Sequence, residues 1–387
     1  MPDKTSGDLR FFTILRILAE AVRLVFVATN PKHYELEIGR PALTSCRDAL
    51  TGLGIHVYEG AIISALKANR YDIVLFEFHY VAFAFQDLCR RYQPVAKMII
   101  DSVDVHFNRL EAKAKLTGDA SDIQIATRTK ANELKAYRAA DAVITVSEED
   151  RSLLTAMSPR LRVEVIPNIH VMPSLAPQTH RASGTLVFVG GFRHDPNIDA
   201  MLFFCHEVFP LIRKAVPHAR IQIIGSHPPT EISALAGPGI EVLGYVPDTG
   251  PYLNAAEVSV APLRYGGGMK GKVGEAMSHG LPVVTTSIGA EGFGLTPGKH
   301  LLVGDDAAEF AAHVISLLSD AALRQRIGDA GREFIRANYS EEVVGKKILP
   351  AFRKFSALPG RKSSPVRRFV FAVSHFLETR LLWRFRE

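Results

Sequence analysis

A glycine-rich stretch between two apolar segments constrains this chain more than any other feature of its sequence. Residues 258–262 are apolar apart from Ser259, Gly266–Gly268 are three consecutive glycines, and residues 271–279 have helical spacing that ends at a glycine and a proline. A second apolar run follows at residues 281–285. This order predicts a strand, a glycine loop, a helix and a second strand, which together make a unit of an open parallel sheet.

The glycine loop indicates a site for a diphosphate and a ribose. Such loops lie beyond the carboxyl ends of parallel strands, where their backbone N–H groups and the next helix N-terminus attract phosphate. Arg264, Lys270 and Lys272 add positive charge, and Glu275 follows one helical turn after Gly271, where its carboxylate can accept hydrogen bonds from ribose hydroxyls. Taken singly, a glycine triplet is usually a surface loop and such lysines are usually solvated, so only the combination carries this interpretation.

The same segment resembles the donor-binding region of the retaining GT-B glycosyltransferases of group 1, a GT4-like family. The match runs from the Ala-Pro-Leu-Arg sequence at 261–264 through Lys272 and Glu275 to Gly289–Gly292, and weaker matches extend it over most of residues 185–345. The resemblance implies an α/β chain with two Rossmann-like, doubly wound parallel-sheet domains that face a cleft. A C-terminal amphipathic helical tail is expected after them.

The resemblance also implies roles for individual residues. His106, Lys272 and Arg193 are the expected catalytic residues. The expected donor-binding residues are Gly7, Arg264, Gly266, Gly267, Gly268, Met269, Lys270, Glu275 and Val246. We expect no cofactor and no metal ion, because the sequence contains no convincing Asp-x-Asp metal motif.

Two departures from the family pattern bear on the sugar. Many members carry two glutamates, and the position of the first is occupied here by Gly267, eight residues before Glu275. The usual arginine and lysine pair after the first strand of this domain is reduced to Arg193, so its lysine partner is expected at Lys270 or Lys272. We interpret the missing first glutamate as a trait of a subfamily.

The first half predicts a second parallel α/β domain. Its strand candidates alternate with helical patterns and are Leu24–Ala28, Ile73–Phe76, Lys97–Ile100, Ala142–Val146 and Val163–Ile166. The loop after the third candidate holds Asp101, Asp104 and His106. A lone histidine is more often structural, and the commoner role of such aspartates is to cap the next helix. The resemblance nevertheless implies that His106 lies near the donor sugar.

The 387 residues exceed what one hydrophobic core usually serves. We predict an acceptor-side domain at residues 1–172, a nucleotide-sugar domain at 173–345, and a crossover helix with a basic tail at 346–387. Thr5–Asp8 is predicted to be a loop and Leu9–Ala21 a helix, so either the chain lacks the first strand of such a domain or the assigned start lies too late to include it. The lack of that strand would leave unpaired edges in the sheet.

Composition narrows the choice of partners. The three cysteines are scattered without metal-ligand spacing, which is typical of a protein in a reducing compartment. Residues 361–387 carry seven Lys/Arg against two Asp/Glu and account for five of the six net positive charges. This tail is compatible with a basic helix on an anionic membrane and equally with a helix packed on the protein itself. Because no nucleic-acid motif accompanies the charge, nucleic acid is not an expected partner.

The sequence thus predicts a metal-independent glycosyltransferase that moves a sugar from a nucleoside diphosphate to a hydroxyl acceptor with retention of configuration. The expected acceptor is a glycan or lipid-linked glycan of the cell envelope or of an exopolysaccharide. The expected location is the cytoplasm, with peripheral attachment to the inner face of the plasma membrane as a further possibility. Two alternatives stay open, namely a GT-B subunit that binds a sugar nucleotide or glycan without turnover, and a sugar-nucleotide epimerase.

Overall fold

The computed structural model describes residues 6–174 and 181–359, which form two α/β halves built on parallel strands. The strands are β1 Val25–Ala28, β2 His56–Glu59, β3 Ile73–Glu77, β4 Lys97–Asp101, β5 Ala142–Thr145, β6 Val163–Val165, β7 Thr185–Val189, β8 Arg220–Ile224, β9 Ile240–Gly244, β10 Val258–Ala261, β11 Val283–Thr285 and β12 Leu302–Val303. The helices are α1 Ser6–Ala19, α2 Pro31–Ile38, α3 Arg40–Gly52, α4 Ile62–Ala68, α5 His79–Tyr92, α6 His106–Thr117, α7 Ala120–Ala139, α8 Glu148–Met157, α9 Asp195–Phe203, α10 Phe209–Ala215, α11 Thr230–Ser233, α12 Gly250–Ala255, α13 Gly271–Ser278, α14 Ser287–Ala290, α15 Ala307–Ser319, α16 Ala321–Tyr339 and α17 Glu341–Ser356. A π-helical turn at Phe204–Val208 connects α9 to α10.

The first half contains a four-stranded parallel sheet and a separate parallel pair of strands. The sheet has the order β3-β4-β5-β6, and β1 pairs with β2. All five strands predicted for this half are present. The structure adds a sixth strand, β2, which the sequence did not predict because its four residues have exposed, polar ends at His56 and Glu59. Within the described residues, β3 has no strand on its outer side, so the first half has two short sheets where the family pattern predicts one.

The beginning of the described chain differs from the sequence prediction. Ser6, Gly7 and Asp8 lie in the first turn of α1, so the loop predicted there is wrong from Ser6 onward. The Asp8 carboxylate in that turn favours the helix, because it complements the positive end of the helix dipole. Gly7 is therefore a helical residue.

Helix α1 is tied into the first half by a buried ion pair and by helix α17. The Arg10 guanidinium lies 2.7 Å from the Asp101 carboxylate at the end of β4, and both side chains are fully buried. The apolar face of α1, with Ile14 and Leu18, packs with Ile348 of α17 in one core cluster. The chain therefore returns from the second half to cover the first.

The second half is a six-stranded parallel sheet with the order β12-β11-β10-β7-β8-β9. The predicted strand, glycine loop, helix and strand are confirmed as β10, residues 262–270, α13 and β11. Helix α13 starts at Gly271, as its sequence spacing predicted, and it points its N-terminus toward the carboxyl edge of the sheet because it follows β10. None of the helices within residues 6–174 and 181–359 has the length and apolar content needed to cross a bilayer.

Candidate active site between the two halves

The glycine loop lies against the loop that follows β4 in the first half. A Cβ atom added to Gly267 would lie 3.2 Å from the carboxylate of Asp104, and one added to Gly268 would lie 3.0 Å from the Asp104 Cβ. Gly268 also has a φ of +56°, which favours glycine. The predicted cradle and the loop that carries His106 are therefore in contact, and the glycines permit that contact.

The Lys272 amine is held in a half-buried position in the first turn of α13. It donates a hydrogen bond to the side-chain oxygen of Asn197 and lies 4.6 Å from the centre of the Phe188 ring. A Cβ on Gly190 would lie 2.9 Å from the amine nitrogen. Burial lowers the pKa of Lys272 to about 7, and the neighbouring charge of Lys270 acts in the same direction. An anion placed here would therefore be paired with a cation that water solvates poorly.

The second lysine, Lys270, precedes α13 and is buried. Its amine lies 3.2 Å from the Glu291 carboxylate, and its aliphatic chain would contact a Cβ on Gly266. Burial lowers the pKa of Lys270, while the charge of Glu291 opposes that shift. The sequence placed both lysines in one site, and the structure brings them close enough to influence each other's charge.

Glu275 lies on the same helix, one turn after the lysines. Its Oε1 atom accepts a hydrogen bond of 2.5 Å from the Thr249 hydroxyl, and burial raises its pKa. Thr249 follows the loop of Val246, whose side chain is partly buried against the core beneath α13. This arrangement leaves the second Glu275 oxygen as the natural acceptor for a ligand hydroxyl.

The positions of the remaining predicted residues give less support to a role in donor binding or catalysis. Arg193 is exposed, with one nitrogen 3.1 Å from the His227 ring. Arg264 makes a bidentate ion pair with Asp199 of α9, so its guanidinium is already engaged. Met269 is buried in the core, and its backbone carbonyl accepts a 3.2 Å hydrogen bond from the Asn168 amide of the first half.

His106 is held at both ring nitrogens. Nε2 lies 2.9 Å from Asp104 Oδ1, and Nδ1 lies 3.0 Å from Nδ1 of His79. Because a carboxylate can only accept, Nε2–H of His106 points at Asp104, and the tautomers of the two rings determine which Nδ1 donates in the contact between His106 and His79. Burial lowers the pKa of His79 to about 4, so His79 is neutral at physiological pH.

Neither aspartate of the predicted loop caps helix α6. Asp101 is paired with Arg10, and Asp104 faces the glycine loop. The cap comes instead from Glu133 of α7, which accepts hydrogen bonds from the backbone amides of His106 at 3.1 Å and Phe107 at 2.8 Å. The capping role proposed for the aspartates is therefore wrong, because a buried carboxylate from a second helix already satisfies these amides.

Glu133 also belongs to the group around His106. With His79 and His106 it forms a trio whose potential ligand atoms lie within 4.8 Å of one another. Both oxygens of Glu133 already accept hydrogen bonds from protein donors, including one of 2.6 Å from the Tyr137 hydroxyl. The trio is best explained as a hydrogen-bond network that orients His106.

Asp104 is a site residue that sequence reasoning did not identify, since it was considered only as a helix cap. Its carboxylate contacts His106 and lies 2.9 Å from the Arg109 guanidinium. Burial by itself would raise the pKa of Asp104, but the hydrogen bond from His106 and the charges of His106 and Arg109 outweigh it and lower the pKa. An ionised carboxylate therefore lies where the two halves meet. Its position two residues before His106 was the available signal.

The second half matches a known family model. Residues 183–320 match the model described as glycosyl transferases group 1. The chain is 25% identical over 179 residues to an uncharacterised 44.6 kDa protein in the cps region of Klebsiella pneumoniae. It is 31% identical over 180 residues to the phosphatidyl-myo-inositol mannosyltransferase of Mycobacterium leprae. These two alignments cover 42% and 44% of this chain, and 45% and 47% of the relatives, so they span less than half the length of each relative.

Solved structures extend the likeness to the whole architecture. The Anabaena protein HepE in complex with UDP and glucose superposes with a TM-score of 0.63 at 12% identity, covering 91% of this chain and 98% of HepE. A sucrose-phosphate synthase from Thermosynechococcus elongatus gives a TM-score of 0.61 at 18% identity, covering 77% of each chain. At these identities the likeness concerns the fold.

Proposed function

We propose that this protein is a glycosyltransferase, because residues 183–320 match the group 1 glycosyltransferase model and the two halves have a GT-B fold, as the sequence predicted. It transfers a sugar from a nucleoside diphosphate to a hydroxyl of a glycan or lipid-linked glycan, with retention at the anomeric carbon and without a metal ion. The observation that carries the proposal is the group formed by Lys270, Lys272 and Glu275 at the N-terminus of α13, directly after the glycine loop that contacts Asp104.

Binding of the donor follows from the chemistry of the second half. The ammonium groups of Lys270 and Lys272 and the free amides at the start of α13 are complementary to a diphosphate. Glu275 accepts hydrogen bonds from the ribose hydroxyls, and the Thr249 hydroxyl fixes the orientation of its carboxylate. Arg193 adds charge from the loop between β7 and α9, where it is exposed.

Chemistry at the sugar draws on the first half. The bond between the anomeric carbon and the diphosphate breaks with its electron pair on the leaving oxygen, and the acceptor oxygen bonds to the same face of that carbon. The leaving phosphate takes the acceptor's proton, so no separate base is needed. Lys272 stabilises the charge on the departing diphosphate, while Asp104 and His106 face the positive character that develops on the sugar.

We expect one class of nucleotide sugar to raise the melting temperature of the protein, since a ligand that binds only the folded state stabilises it. In a Glu275→Gln variant the affinity should fall about tenfold, because a charged acceptor of two hydroxyls is lost. The measurement is thermal unfolding with UDP-, GDP-, ADP- and dTDP-sugars.

The matched control for this measurement is Glu231→Gln, which changes an exposed glutamate of the same half. Retention of full stabilisation in Glu275→Gln would contradict the ribose role. If the donor binds but no transfer or hydrolysis occurs with any acceptor extract, the protein is a binding subunit. Inversion of the donor sugar without transfer would instead identify an epimerase.

We also propose that the protein works on the cytoplasmic face of an anionic membrane through residues 361–387, which lie outside the described residues. Removal of this basic segment should reduce co-sedimentation with vesicles that contain phosphatidylglycerol, because attraction to anionic lipid contributes to such binding. Vesicles of phosphatidylcholine alone are the control for charge. Unchanged co-sedimentation after removal would refute membrane attachment through this segment.

A further inference from the structure

A layer of aromatic rings lies beside His106 at the carboxyl edge of the first sheet. The rings of Phe78, Tyr80 and His106 are nearly parallel, with interplanar angles of 9°, 17° and 19°. Their centroids are separated by 5.2, 6.0 and 6.1 Å. Tyr80 is 51% exposed. The layer therefore presents an aromatic face to solvent next to the candidate active site.

The backbone at this layer has an unusual conformation. Phe78 has a φ of +69°, which a bulky residue rarely adopts. Its N–H donates a 2.8 Å hydrogen bond to the carbonyl of Asp101, which holds the bend against the end of β4. Directly after the bend, His79 is buried and contacts His106, while Tyr80 remains half-exposed. The bend at Phe78 thus holds the aromatic layer next to His106, the histidine that we place near the donor sugar.

Polar groups surround the aromatic layer. Tyr34 is 45% exposed, and both Tyr34 and Glu77 lie close enough to Tyr80 to act electrostatically on its hydroxyl. Burial, together with the charges of Asp101 and Asp8, raises the pKa of Glu77 to about 8. A carboxyl group with that pKa is largely protonated at neutral pH and can both donate and accept a hydrogen bond.

We propose that Phe78, Tyr80 and His106 form the acceptor subsite, on which a pyranose ring of a glycan acceptor stacks; this inference rests on the proposed function. A pyranose has an apolar C–H face and a rim of hydroxyls, which complement an aromatic layer bordered by Tyr34 and Glu77. A lipid chain would fit less well, because the groups of the rim would lose water without gaining hydrogen bonds. The nucleotide is expected at the other end of the cleft, near Glu275.

The proposal is tested by saturation-transfer NMR with methyl glycosides of glucose, galactose, mannose and N-acetylglucosamine as probes. We expect at least one probe to receive saturation mainly at the C–H protons of one face. Tyr80→Ala should remove this signal, and Tyr80→Phe should largely retain it because the ring remains. Phe83→Ala is the matched control, since Phe83 is 47% exposed on the same helix and lies outside the layer.

Stabilisation by the donor separates failure of this inference from failure of the proposed function. If a nucleotide sugar stabilises the protein but no glycoside receives saturation, or the signal survives in Tyr80→Ala, the acceptor subsite is overturned while the donor site stands. Saturation of a prenyl phosphate chain in place of the glycosides would also overturn it in favour of a lipid. In a transfer assay the supporting result is a KM for the acceptor raised about tenfold in Tyr80→Ala, with an unchanged KM for the donor.

Discussion

Replacement of Lys272 by methionine is expected to lower the rate of sugar transfer by roughly 10²–10³-fold, the effect of losing one preorganised electrostatic contact to a developing charge. The amine already lies beside Phe188 and Asn197, so it requires little reorganisation when the diphosphate departs. Methionine retains the packing against the Phe188 ring and removes the charge together with the hydrogen bond to Asn197. The measurement is kcat with the donor identified by thermal unfolding.

The pH dependence of donor binding provides an independent check on Lys272. Its pKa is about 7 in the empty site, and a bound diphosphate raises that pKa because it favours the charged amine. The complex then binds more protons than the free protein, so donor affinity falls as pH rises through about 7. This dependence should be lost in Lys272→Met and retained in the control Lys214→Met, which changes an exposed lysine of α10. An unchanged rate and pH profile in Lys272→Met would contradict the leaving-group role.

The nucleotide half of the site could be predicted because its residues are close in sequence. Lys270, Lys272 and Glu275 lie on one helix start, and the period of α13 places them on neighbouring turns without reference to any distant segment. The glycines before them predict a loop for the same reason. Local spacing does not reveal that Arg264 is engaged by Asp199, since that partner is 65 residues away in the chain.

The part of the site from the first half was harder to predict because long-range contacts define it. Glu133 caps α6 from a position 27 residues after His106, and the sequence suggested the two nearby aspartates for that task. His79 and Tyr80 follow a different strand from His106, so their contact depends on the pairing of β3 with β4. The short β2 was missed because four residues with polar ends do not show a strand period. In each case packing between elements determined the outcome.

Asp104→Asn is expected to reduce kcat by about 10²-fold or more while leaving donor affinity nearly unchanged. Asparagine is nearly the same size as aspartate, but it carries no charge. Among the described residues, Asp104 is the only ionised group that contacts both His106 and Arg109, and the substitution removes that charge. The sugar then develops positive character opposite a guanidinium that has lost its counter-charge. Such an effect belongs to the transition state, so it lowers kcat without weakening the ground-state complex.

The experiment compares Asp104→Asn with Asp87→Asn, which changes an exposed aspartate of α5. Both variants should bind the donor, and only Asp104→Asn should lose transfer and donor hydrolysis together, since both reactions pass through a positively charged sugar. Loss of donor binding would instead show that Asp104 stabilises the contact between the halves, because its carboxylate also lies against Gly267. Full activity in Asp104→Asn would remove the carboxylate from the mechanism and leave charge stabilisation to Lys272 and the helix N-terminus alone.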